Sequence, residues 1–102
     1  MSVLKITNEN FEEEVINSNK ITIIDFYADW CGPCKMMSPI IDKIAEENND
    51  IKVGKLNVDE AGDIAGQFNI MSIPTILLFK NGKEFKRFVG VTSKDNIINA
   101  IK

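Results

Sequence analysis

The sequence predicts a single α/β domain: a mixed five-stranded sheet with helices on both faces. Three observations carry this expectation. Strand-like β-branched segments alternate with helical apolar stripes along the first part of the chain, as in parallel βαβ units. An Asn81-Gly82 pair then joins two further strand segments, which makes the last pair antiparallel. A chain of 102 residues, 44% hydrophobic, can bury one sizeable core and not two.

The element order reads β-α-β-α-β-α-β-β-α, in one domain spanning 1–102. Residues 3–7 form the first strand. Asn8 is the expected cap of a helix with Glu9, Glu12 and Glu13 near its positive end and Phe11, Val15 and Ile16 as its apolar stripe, up to about Ser18. Residues 20–27 make a strand whose apolar residues do not alternate, the pattern of a central strand buried on both faces. A long helix follows, roughly 34–48, with Met37, Ile40, Ile41, Ile44 and Ala45 inward. Pro39 lies inside it and is expected to kink it. Met36 and Met37 read as helix packing. Residues 51–58 form a strand, and Ala61, Ile64, Ala65 and Phe68 outline a short helix weakened by Gly62 and Gly66. Residues 75–80 and 84–89 are the arms of the Asn81-Gly82 hairpin. Thr92-Ser-Lys-Asp95 resembles a capping box that opens a last helix with Ile97, Ile98 and Ile101 inward.

Charge narrows the function classes. Twelve basic against 15 acidic residues leave a net charge of −3, which argues against nucleic-acid binding. The basic stretch from Lys83 to Arg87 reads as a solvated hairpin arm. No apolar run approaches a membrane span, and the start of the chain, Met1 to Lys5, lacks the apolar region of a leader. A cytoplasmic monomer is the expectation.

Both cysteines fall within Trp30-Cys31-Gly32-Pro33-Cys34. With two cysteines and no histidine, one chain cannot supply the four ligands of a structural zinc site. A disulfide closing so short a loop removes little entropy from the unfolded chain, so it makes a poor staple. Redox chemistry is the remaining use. Cys31 should lie just ahead of a helix N-terminus, where free N–H groups and the helix dipole stabilise a thiolate. It is the expected exposed nucleophile with a lowered pKa, a general property of Cys-X-X-Cys sites at helix starts. Cys34, one turn in and facing the core, is the expected resolving thiol. Gly32 leaves room for an incoming polypeptide, and Pro33 offers the sulfur no N–H, which favours a reductant. Asp25, inside the second strand, is either an exposed edge carboxylate or a buried proton acceptor for Cys34. Lys55 either sits near it or is solvated. Trp30 should be partly exposed beside the disulfide.

The segment Asp25-Phe-Tyr-Ala-Asp-Trp-Cys-Gly-Pro-Cys-Lys35 resembles the active site of the thioredoxin family. The resemblance extends to the element order, Pro39, Ile73-Pro74-Thr75 and Lys80-Asn81-Gly82. It implies a thioredoxin fold and a general protein-disulfide reductase. It implies a cis Pro74 packed beside the disulfide, with the Ile73 backbone free to pair with a bound substrate strand. It further implies a flat apolar docking surface made by Trp30, Gly32, Pro33, Ile73, Pro74 and Gly90. The implied partners are disulfide-containing client proteins and thioredoxin reductase, an NADPH-dependent flavoprotein. This chain has no nucleotide-binding glycine motif, so no cofactor is expected in it. Tyr27 stands where the family often has Trp, and Asn69 where many members have Gly. Two rival functions share these features: a disulfide oxidant or isomerase, and a binding subunit that docks partners regardless of redox state.

Overall fold

The sheet is organised around its least alternating strand. The computed structural model describes residues 3–102; Met1 and Ser2, which open the segment read as lacking a leader, lie outside them. β2, Thr22–Tyr27, is buried at every position except Tyr27, as a central strand should be. β3, Lys52–Asn57, runs parallel on one side of it, and β1, Leu4–Ile6, runs parallel outside β3. β4, Thr75–Lys80, lies on the other side, and β5, Lys83–Val89, forms the far edge. The spatial order is β1-β3-β2-β4-β5.

Alternation of strand and helix suggested that β4 would continue the parallel set. It runs antiparallel to β2 instead. Helix length explains the difference. α1, Gly32–Glu47, has 16 residues and rises about 24 Å, enough to return the chain to the start of β3. α2, Gly62–Gln67, has six residues and rises about 9 Å, far less than the roughly 20 Å of a strand. The chain therefore enters β4 from the end at which it left β3. This brings Ile73 and Pro74 to the C-terminal end of β2, beside the cysteines.

Helices cover both faces. The N-terminal helical segment and α2 pack Phe11, Val15, Ile64 and Ala65 against Ile24, Phe26, Leu77 and Phe79. α1 and α3, Lys94–Ile101, pack Met37, Ile41, Ile44 and Ile97 against Ile23, Val53, Ile76 and Leu78. Residues Glu12–Ile16 are wound as a π-helix rather than an α-helix.

Helix starts differ from expectation by one or two residues. Thr7 and Asn10, not Asn8, bracket the first helical turn: each side chain accepts from the other's backbone N–H, at 2.7 and 3.2 Å. Ser93, not Thr92, caps α3 by accepting from the Asn96 N–H at 3.1 Å. α1 begins at Gly32 because Pro33 fits a first turn, where its missing N–H costs nothing. Pro39 is accommodated inside α1. The basic arm also departs from expectation: Arg87 is clamped by Glu84 at 2.7 and 2.8 Å and donates to the Phe68 carbonyl at 3.0 Å.

The hairpin turns through positive φ at both Asn81 (52°) and Gly82 (78°), the mirror-image turn that Asn-Gly favours. At Gly54 the issue is space. A Cβ there would lie 2.7 Å from Ile6 Cγ1 and 3.2 Å from Ile24 Cδ1. Gly54→Val is expected to destabilise the fold by about 3 kcal/mol through overpacking, read as a lowered urea midpoint with an unchanged slope.

Candidate active site

The fold delivers both cysteines to the C-terminal end of β2. Cys31 is the N-cap of α1, and its Sγ accepts from the Cys34 N–H at 3.2 Å. Cys31 and Cys34 are joined as a disulfide. Any negative charge on the Cys31 sulfur therefore meets a helix-terminal N–H.

Cys31 is less exposed than expected. Its residue exposure is 5%, against 4% for Cys34. It packs with Ala28 and Cys34, and Tyr27, Val58 and Ile73 close around them. The Ile73 carbonyl oxygen lies 3.8 Å from Cys31 Sγ. The two sulfurs differ in what adjoins them. Beside Cys31 are Gly32 and Pro33, both exposed, and Trp30, whose exposure is 71%. Trp30 stands more open than expected, tied down by its Nε1, which donates to Asp59 at 2.9 Å.

Cys34 opens elsewhere. It lines a cavity of about 170 Å3 with Tyr27, Ala28, Lys35, Ser38 and Lys55. Lys55 is the register partner of Asp25 across β2 and β3. Asp25 shares a sheet face with Ile23, which packs beneath α1. Asp25 is fully buried, and neither carboxyl oxygen has a hydrogen-bond partner among the described residues. Burial pushes its pKa up from 3.8 to about 7; Lys55 partly opposes this, and Asp42 on α1 adds to it. Of the two alternatives for Asp25, the buried carboxyl is the one observed. Lys55 is half-buried and held by Ser38 and the Tyr27 ring rather than by Asp25.

The Ile73–Pro74 bond is cis. Pro74 itself is buried, and its carbonyl accepts from the Gly90 N–H at 2.8 Å, fixing the strand end beside the site. Gly90 has a φ of 93° and is partly exposed. Asn69 adopts a φ of 55°, a left-handed conformation that Asn tolerates better than most residues, so the turn expected there is formed.

A groove of about 340 Å3 adjoins the disulfide, lined by Trp30, Val58, Ile70, Met71, Ser72 and Ile73. Val58, Ile70 and Met71 were not anticipated as site residues. For Ile70 and Met71 the signal was the largely apolar run Ile70-Met71-Ser72-Ile73, which belongs to neither helix nor strand; Val58, at the end of a segment read as strand, had none. Met71 is 91% exposed. Met36, read as packing, is 65% exposed on the outer side of α1, while Met37 is buried. No group of three metal-ligating side chains occurs among the described residues.

Comparison with known proteins agrees with this geometry. A family model described as thioredoxin matches residues 2–102. A thioredoxin of Pyropia yezoensis is 43% identical over 102 residues, covering 99% of this chain and 95% of the relative. One of Porphyra purpurea is 44% identical over 98 residues, covering 95% and 92%. One of Mycobacterium tuberculosis is 42% identical over 101 residues, covering 98% and 87%.

Proposed function

From the premise that this chain belongs to the thioredoxin family and is a protein-disulfide reductase, we propose a division of labour between its two thiols. Cys31 is the nucleophile. Its thiolate attacks one sulfur of a client disulfide, forming a mixed disulfide and releasing the other client sulfur as a thiolate. Cys34 gives up its proton and attacks Cys31 Sγ, so the second client sulfur leaves. Two electrons have passed to the client, and the protein holds a Cys31–Cys34 disulfide. The single observation that carries this assignment is the Cys34 N–H donated to Cys31 Sγ at 3.2 Å. It stabilises charge on the first sulfur and not the second.

Asp25 is the proton acceptor for Cys34. Support comes from its burial without a hydrogen-bond partner and from its register partner Lys55, which lines the cavity that Cys34 lines. A carboxyl that titrates near neutrality can both take and release a proton in the cell. Clients dock on Trp30, Gly32, Pro33, Ile73 and Gly90, with Pro74 beneath fixing their position, and extend into the groove walled by Val58, Ile70 and Met71. Met71→Glu is expected to raise KM for a protein disulfide roughly fivefold, about 1 kcal/mol of lost apolar contact. The rate with a small aromatic disulfide should be unchanged, because that substrate does not reach the groove.

The clients are disulfide-containing proteins. Thioredoxin reductase, carrying flavin and drawing on NADPH, restores the dithiol, and the protein works as a monomer in the cytoplasm. A reducing compartment suits a dithiol that must be regenerated, and no helix among the described residues is long and apolar enough to cross a membrane. The test is insulin reduction by dithiothreitol with and without the protein, paired with the potential of the 31–34 couple against glutathione. Acceleration with a potential well below the glutathione pool is expected; a potential above it would make the protein an oxidant.

A further inference from the structure

The Ser38 side chain lines the cavity behind Cys34 without a part in the exchange of sulfurs. Ser38 lies one turn beyond Cys34 on α1, and its Oγ accepts a hydrogen bond from Lys55 Nζ. The same ammonium lies over the Tyr27 ring, 5.1 Å from its centroid. Lys55 and Asp25 are directly paired in the neighbouring parallel strands β3 and β2, with their side chains on the same face. A carboxylate in that position is the strongest acceptor a half-buried ammonium could find. Yet none of the ion pairs among the described residues includes either group, and both Asp25 oxygens are unpartnered. The ammonium is turned along the cavity wall, toward α1, by the acceptor that α1 supplies.

We propose that Ser38 is a positioning residue that holds the Lys55 ammonium away from Asp25 and so sets the pH at which Asp25 exchanges its proton. For catalysis this rests on the reading of Asp25 as the acceptor for the Cys34 proton. The charged and titratable groups around Asp25 are few. β3 presents Lys55, α1 presents Asp42, β4 places Ile76 opposite it, α3 meets this face through Ile97, and Cys34 and Tyr27 line the cavity that Lys55 lines. Lys35 and Asp29 also line the cavity beyond Lys55. Among these only Lys55 opposes the proton on Asp25, so the place where its ammonium rests decides how basic the carboxylate is. With Ser38 in place, Asp25 stays basic enough to accept a proton near neutral pH. Without it, the ammonium closes on the carboxylate and stabilises it ionised, which makes it a poorer acceptor.

The test follows the Asp25 carboxyl carbon by NMR across pH in the oxidised full chain, where the cysteines do not titrate and cannot couple to it. Ser38→Ala is expected to lower the proton affinity of Asp25 about tenfold. Ser38→Thr, which keeps the hydroxyl, should hold it near the parent value. In a Lys55→Met background, Ser38→Ala should change nothing. An unmoved or raised midpoint in Ser38→Ala overturns the proposal, as does an equal fall in the Lys55→Met background. The pH profile of client release by the reduced protein separates the two claims. A carboxyl midpoint that moves while the profile stays fixed would reject Asp25 as the proton acceptor and still support Ser38 as the group that places Lys55.

Discussion

Cys31→Ser is expected to remove catalysed insulin reduction down to the dithiothreitol background, a loss of roughly a thousandfold or more. A serine hydroxyl at the N-cap keeps a hydrogen bond from the Cys34 N–H, so the helix start survives and the fold is retained. What is lost is the thiolate. The remaining thiol, Cys34, is turned toward the cavity shared with Lys55 and Ser38 rather than toward the exposed Gly32-Pro33 surface. A client docked on that surface therefore meets Cys31 first. Cys34→Ser should also stop turnover, but at a later step: Cys31 still attacks, and the mixed disulfide then has no resolving partner. A Cys31→Ser protein that still reduced insulin would overturn the assignment of the nucleophile.

The second large effect is on stability. Asp25 titrates at about 7 in the folded protein, against an ordinary value of 3.8. Because the folded pKa is raised, the native state keeps a proton that the unfolded chain has already released. Stability is therefore fullest below about 3.8 and falls as pH rises to about 7, by on the order of 4 kcal/mol in total. Asp25→Ala removes this cost and adds a small cavity worth about 1 kcal/mol. At pH 8 the variant is expected to be more stable than the parent by roughly 2–3 kcal/mol, and at pH 4 the advantage should vanish or reverse. The same change should slow resolution of the mixed disulfide by about tenfold to a hundredfold, the usual worth of a positioned base. Urea titrations at both pH values check the first claim. A variant less stable than the parent at pH 8 would mean that Asp25 is not an uncompensated buried carboxyl. An unpartnered buried carboxyl is costly to the fold, and the proton transfer proposed for Asp25 is the function that such a broken local rule would serve.

Much of this fold was legible in one dimension. The buried strand Thr22–Tyr27 and the Asn81-Gly82 hairpin were readable because β-branched runs and a positive-φ turn pair leave few alternatives. Helix starts slipped where several capping residues stand in a row: Thr7-Asn8 with Asn10, and Thr92-Ser93. Any of them can accept from a first-turn N–H, and packing decides which one does. The direction of β4 was not readable from alternation, because it depends on the rise of a six-residue helix relative to the strand it must span.

The site divides in the same way. Cys31, Cys34 and Asp25 announce themselves by residue type and by context in a strand or at a helix start. The groove wall at Val58, Ile70 and Met71 does not, because a loop carries no periodicity from which an exposed face can be inferred. Ser38 was equally hidden. Its meaning comes from a strand distant in sequence that places Lys55 opposite it, and a serine on a helix is otherwise unremarked.

The directionality of the cysteine pair is the central claim, and trapping tests it most directly. Reduced Cys34→Ser and Cys31→Ser proteins would each be mixed with a disulfide-bonded peptide, quenched with acid and mapped by mass spectrometry. The account predicts a stable peptide adduct on Cys31 in the Cys34→Ser protein and none in the Cys31→Ser protein. An adduct accumulating on Cys34 in the Cys31→Ser protein at a comparable rate would contradict it.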